Sequence, residues 1–146
     1  MNKRGVTLIE LVIVFVIIAV LAVLMVPNIG AWLPSYRLRS ATREVTSTLR
    51  TAQMRAVSTN TSYGVAFGAN SCQLYRGTTA EGGAINLPKG VEFINNTFPV
   101  NGTLAQPFAQ FNPDSTSSGG SVTLKNSKGT TRTISLTTAT GRANIS

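Results

Sequence analysis

"KRGVTLIELVIVFVIIAVLAVLMV", residues 3–26, decides how the rest of the chain is read. From Leu11 to Val26 there is no polar side chain. Counted back to Val6 the run holds roughly 21 mainly apolar residues, about 31 Å as a helix against a hydrocarbon core of about 30 Å. This length predicts a bilayer span. Helix is the conformation expected in it, because an open strand in lipid leaves its backbone groups unsatisfied, which outweighs the modest helix propensity of Val and Ile. Glu10 resists this reading, since a carboxylate costs up to about 3 kcal/mol at the bilayer centre and less near the interface.

Three arrangements compete for the segment. An ordinary signal peptide would use Lys3 and Arg4 as its charged region, but the run exceeds the usual length of about 7 to 15 residues and PNIGAWLP follows without a small-x-small cleavage site. An uncleaved anchor fits the length and leaves Glu10 unexplained. A leader cut ahead of the apolar run would remove Lys3 and Arg4 and leave Glu10 close to a new amino terminus. Charge does not orient the span, because Lys3 and Arg4 precede it while Arg37, Arg39 and Arg43 lie close beyond it.

Composition narrows the functions. A chain of 146 residues, 42% hydrophobic, suits one small domain plus a membrane segment. Its 13 Lys+Arg against 5 Asp+Glu give a net charge of +8, which suits anionic lipid, nucleic acid or an acidic protein partner. A single cysteine, Cys72, excludes an internal disulfide, and the lack of histidine excludes the usual zinc sets and His-based acid–base chemistry. Glu81, Glu92 and Asp114 are scattered, and the serines lack their usual base, so a Ser–Lys pair is the one nucleophilic arrangement left open. No catalytic residue, metal site, cofactor or small-molecule substrate is expected. Cys72, inside a strand pattern, reads as a small buried hydrophobe.

Beyond the apolar run, Pro27, Gly30 and Pro34 predict a kink or short break, with Ser35 as N-cap of a second helix. From Ser35 to about Asn60, Leu38, Ala41, Val45, Leu49, Ala52 and Ala56 fall within an arc of roughly 80°, one amphipathic face suited to packing on a sheet. Arg39, Arg43 and Arg50 project nearly opposite, with Arg37 and Arg55 on a flank. The basic stripe is a solvated face, or a contact for lipid headgroups, acidic neighbours or DNA phosphates. After Asn60 the pattern changes to short β-rich runs at 63–67, 72–76, 91–94, 121–125 and 130–136, separated by Gly, Asn and Pro. Residues 126–129, NSKG, read as a hairpin loop and 112–121, NPDSTSSGGS, as a flexible one. The class is α+β: a long amino-terminal helix, half transmembrane and half amphipathic, packed on an antiparallel β-sheet head.

Lys3-Arg4-Gly5 followed by Val6-Thr7-Leu8-Ile9-Glu10-Leu11 resembles the class III leader of type IV pilins and type II secretion pseudopilins. The resemblance implies a type IV pilin-like fold and cleavage after Gly5 by a membrane-embedded prepilin peptidase, which methylates Val6 as the first mature residue. Phe or Met is commoner than Val at that position. Glu10 becomes the acidic residue at the fifth mature position and Pro27 the helix-kinking proline. Cleavage leaves 11 basic against 5 acidic side chains, a net +6, and a new ammonium. In a bundle of such helices Glu10 can pair with a neighbour's terminal ammonium, because a charge in a low-dielectric medium needs a partner. The alternative is an interfacial Glu10 reaching the headgroups from a simple anchor.

The stretch LRTAQMRAVSTNTSYGVAF and the terminal ISLTTATGRANI are similar to the GspH/FimT family of minor pseudopilins and minor pilins. This implies a helix on a β-sandwich-like head, divided as leader 1–5, assembly helix 6–26, amphipathic continuation 27–60 and periplasmic head 61–146. Expected partners are other pseudopilins or pilins, the prepilin peptidase, the inner-membrane assembly platform and the membrane. Expected localisation is the bacterial inner membrane, single-pass, before extraction into a filament. The function implied is that of a type II secretion pseudopilin near the filament tip. The alternatives are a minor pilin assisting pilus assembly or DNA uptake, and an unprocessed anchored β-domain. Relatives that assist DNA uptake carry Gly-Arg-x-Arg near the carboxyl terminus, whereas this chain has Gly141-Arg142-Ala143-Asn144. Lys125, Lys128, Arg132 and Arg142 could still share a basic face, and Gly141 could serve a turn.

Overall fold

The computed structural model describes residues 7–25 and 29–146, with the side chains of Met25, Ile29 and Ala31 left aside. They fall into two compact units, one ending at Leu33 and the other Pro34–Ser146. The continuation expected as 27–60 is therefore divided, its larger part belonging with the strands.

In the amino-terminal unit, α1 (Leu8–Met25) is apolar on every side except at Glu10, and its large side chains from Leu8 to Leu24 are exposed. Among the described residues no helix is long and apolar enough to cross a membrane. The 18 residues of α1 reach about 27 Å, short of a hydrocarbon core of about 30 Å. Val6 and Val26, the ends of the expected span, lie outside the described residues.

The second helix, α2, is Ile29–Thr59, so it begins six residues before the expected N-cap Ser35 and contains Pro34. Proline removes one backbone donor and crowds the carbonyl four residues back, here that of Gly30, a residue without a side chain to add to the crowding.

From Pro34 onward the helix builds the core. Leu38, Ala41, Val45, Leu49, Ala52 and Ala56 are each at most 1% exposed, as their spacing predicted. Thr42, Thr46 and Thr48 are buried beside them, and each hydroxyl donates to the carbonyl four residues earlier, so none of the three hydroxyls is stranded.

Two antiparallel sheets form the rest of the head. The first has the order β3-β2-β1-β7-β6, with β4 also on β2. These are β1 (Tyr63–Phe67), β2 (Ser71–Arg76), β3 (Thr79–Ala80), β4 (Ile85–Asn86), β6 (Val100–Asn101) and β7 (Gln106–Phe111). The second has the order β10-β9-β8-β5, from β5 (Val91–Asn96), β8 (Gly120–Asn126), β9 (Thr131–Leu136) and β10 (Ala143–Ile145). Val65, Phe67 and Phe111 of the first sheet and Val122, Leu124, Ile134 and Leu136 of the second join the α2 stripe in one core. Phe67 stacks on Phe98 at 5.2 Å and meets Phe93 edge-on at 5.6 Å, closing the gap between the sheets.

Sequence patterning located β1, β2, β5, β8 and β9 and missed β7, although β7 is central. Its QPFAQF sequence carries Pro107, which breaks a strand pattern unless it sits where no ladder donor is needed. The β1 ladder stops at Phe108, so Pro107 meets only the short β6, opposite Val100. Of the run 112–121, expected to be a flexible loop, the last two residues belong to β8 and the start is tied by hydrogen bonds: Asn112 N donates to Thr116 O, and Thr116 N and Oγ1 both donate to Asp114 Oδ1. Those bonds, the hydroxyl's first, hold the Asp114 carboxyl below the usual carboxylate range.

Candidate assembly and anion-contact sites

Glu10 acts locally before any partner is considered. Its Oε2 accepts from Thr7 N at 3.0 Å and from Thr7 Oγ1 at 3.2 Å, while Glu10 N donates to Thr7 Oγ1 at 3.4 Å. Leu11 N donates to Thr7 O at 3.3 Å, making Thr7 the N-cap of α1. This is a capping box, which satisfies open amide donors in both directions and holds a negative charge at the positive end of the helix dipole. The signal is legible as Thr-x-x-Glu, whereas the sequence reading gave Glu10 a neighbour's ammonium or the lipid headgroups as partner and no local one. Gly5, Val6 and Pro27 lie outside the described residues.

Lys125, Lys128, Arg132 and Arg142, which could have shared a basic face, are spread over the head. In the β8–β9 ladder Leu124 stands opposite Arg132 and Lys125 opposite Thr131. Directly opposed residues project from the same face and successive ones from opposite faces. Leu124 is buried in the core, so Arg132 starts from the core-facing side and Lys125 from the outer side, where Glu92 of β5 opposes it. Lys128 sits at the tip of the hairpin, whose shape is set by Asn126: its Oδ1 accepts from Lys128 N and Thr130 N, and Gly129 supplies φ +84°. Arg142 belongs to the other end of β9, where Thr137 N donates to Arg142 O, about 16 Å from Arg132 at strand spacing.

Arg142 instead lines a shallow groove of about 420 Å³ with Arg50, Gln53 and Met54 of α2 and Ala143 and Asn144. Sequence patterning could not pair Arg50 with Arg142, because their proximity depends on how the carboxyl-terminal turn lies on the helix. Gln53 Nε2 fixes that turn by donating to Thr140 O at 2.9 Å. Arg55 forms an ion pair with Glu81, fastening the β2–β3 hairpin to the same helix.

Cys72 is 1% exposed, and burial, aided by the nearby Glu44 charge, pushes its thiol up to about 11. It is the inert hydrophobe its strand context predicted. Among the described residues no group of three His, Cys, Asp or Glu could hold a metal ion.

The family model for Type II transport protein GspH matches residues 41–140, and that for the prokaryotic N-terminal methylation motif matches residues 1–26. The chain belongs to the GspH family. Solved structures agree with a pilin-like fold. The crystal structure of the type IV minor pilin FimU of Pseudomonas aeruginosa is 15% identical, with a TM-score of 0.59 over 77% of this chain and 90% of that one. The solution structure of GspH from E. coli is also 15% identical, with a TM-score of 0.56 over 84% of this chain and 94% of that one. No curated protein matches in sequence. The GspH family is a structural, pilin-like one, and a pseudopilin or minor-pilin role goes with membership.

Proposed function

We propose that this GspH-family chain is a minor pseudopilin of a type II secretion system, a structural and priming component near the filament tip and not an enzyme. One observation carries the reading: a methylation motif over residues 1–26 leads into a GspH head at 41–140. The precursor is anchored in the bacterial inner membrane with its head in the periplasm. Prepilin peptidase cuts between Gly5 and Val6 and methylates Val6. The uncapped Oε1 of Glu10, or the whole carboxylate once the Thr7 box opens, takes a neighbour's ammonium, which sets the register between subunits. Other pseudopilins and the assembly platform are the partners.

Deleting the gene and restoring it in the source bacterium tests the assignment. Loss of secreted proteins from the medium, with pilus-dependent motility and DNA uptake intact, is the expected phenotype. The reverse pattern would move the chain to a type IV pilus.

That second reading has its own support in Arg50 and Arg142, which line one groove. Two guanidinium groups there offer a nucleic-acid backbone the phosphate contacts that the missing second arginine of the Gly-Arg-x-Arg pattern would have supplied. A salt-dependent gel shift that Arg142→Ala and Arg50→Ala each weaken would favour it.

A further inference from the structure

We propose that the end of the head from which α2 enters is a docking face for anionic phospholipid headgroups, holding the precursor's head down on the membrane before assembly. Three separate elements bring cations to that end. Arg37, in the third turn of α2, donates from Nη1 to Lys89 O at 3.1 Å, which brings the loop before β5 to the start of the helix. A side chain at Gly90 would lie 3.7 Å from Ser127, so the β8–β9 tip bearing Lys128 adjoins the same loop. Lys125 and Arg132 flank that tip on opposite faces. Their chargeable neighbours are few. Glu92 opposes Lys125 and Glu44 lies two turns up α2 from Arg37, while Glu81 pairs with Arg55 and Asp114 lies in the loop following β7. At this end Arg37, Lys89, Lys125, Lys128 and Arg132 thus outnumber the acids Glu92 and Glu44.

A lipid surface is favoured over other anions by chain length. Arg37 lies only twelve steps along the chain from Met25, the end of the apolar α1, and eight of those steps, from Ile29, are helical and cover about 12 Å. If α1 is anchored as proposed above, these cations are carried close to the headgroups, where each Lys or Arg shifts a docking equilibrium about fivefold. Tyr36, half exposed beside Arg37, suits the interfacial layer. The inference rests on the anchor reading and adds to it a resting position for the head.

The full chain, with Cys72→Ala and a spin label at Ser127→Cys, is placed in nanodiscs of phosphatidylcholine alone or mixed with phosphatidylglycerol. A second label at Thr78→Cys reports the opposite end. The expected result is stronger broadening of headgroup signals by the Ser127 label in anionic discs only. It should be reversed at 1 M salt, where the screening length falls to about 3 Å, and by Lys89→Glu with Lys128→Glu, with the Thr78 label unchanged. A chain that the discs do not hold would overturn the anchor and the docking face together. A held chain whose Ser127 label ignores lipid charge would overturn the docking face alone, and a response of that label to duplex DNA instead would assign the face to nucleic acid.

Discussion

Gln53 and Gly141 lie against each other across the carboxyl-terminal turn. Gly141 has φ +59°, and a β-carbon there would come within 2.8 Å of Gln53 Nε2 and 2.7 Å of Ser115 O. The glycine of the Gly-Arg pair thus has a structural duty independent of any ligand: it lets the turn close on α2 while Gln53 donates to Thr140. Gly141→Ala combines a disfavoured backbone conformation with a backbone clash and should cost about 2 kcal/mol. Gln53→Ala should cost about 1 kcal/mol. Urea unfolding of the two variants checks both values.

The carboxylate of Glu10 and its hydrogen-bonding capacity can be separated. Glu10→Gln preserves the capping box with Thr7 and removes the charge, whereas Thr7→Ala removes the cap and keeps the charge. If charge pairing drives assembly, Glu10→Gln should insert in membranes normally and fail to enter filaments, while Thr7→Ala should assemble. Filament incorporation of Glu10→Gln equal to the parent would refute the pairing.

Processing gives a direct chemical readout. In cells with prepilin peptidase, amino-terminal peptide mass spectrometry should find a chain that starts at methylated Val6. A mature protein that keeps Met1, or one cut near Ala31, would contradict the cleavage site.

The buried thiol makes stability depend on alkaline pH. The Cys72 pKa rises from 9.0 to about 11 in the folded chain, so the folded state keeps a proton that the unfolded state releases. Its contribution is complete below pH 9 and is lost as pH rises from 9 through 11, a difference on the order of 2 to 3 kcal/mol. Denaturation midpoints across that window should fall, and Cys72→Ala should flatten the slope. A thiol reagent at neutral pH should label the native protein far more slowly than the unfolded one.

Gly64 offers a test of the first sheet. A β-carbon there would overlap the Phe108 ring at Cζ and approach Ala109 O at 2.8 Å, while Phe108 also meets Tyr75 edge-on at 6.2 Å. Gly64→Ala should destabilise by about 2 to 3 kcal/mol through overpacking. Circular dichroism melts of Gly64→Ala beside Gly83→Ala, a position with open space around it, separate this effect from any general glycine effect.

By itself, the sequence determined whatever depends on neighbours along the chain: the apolar run, the α2 stripe, five strands and the glycine-closed hairpin. Each follows from a period or from a local conformational rule that acts over a few residues. The Thr7–Glu10 box was equally local and equally legible. Tertiary structure alone decided the place of β7, whose Pro107 is tolerated only because the β1 ladder ends at Phe108. It also decided the separation of Arg142 from Lys125, Lys128 and Arg132, since strand register and the lie of a turn on a helix are fixed by packing between distant segments. Cationic character could be counted in the sequence; which cations act together was set by the ladder that carries Arg132 and Arg142 to opposite ends of β9.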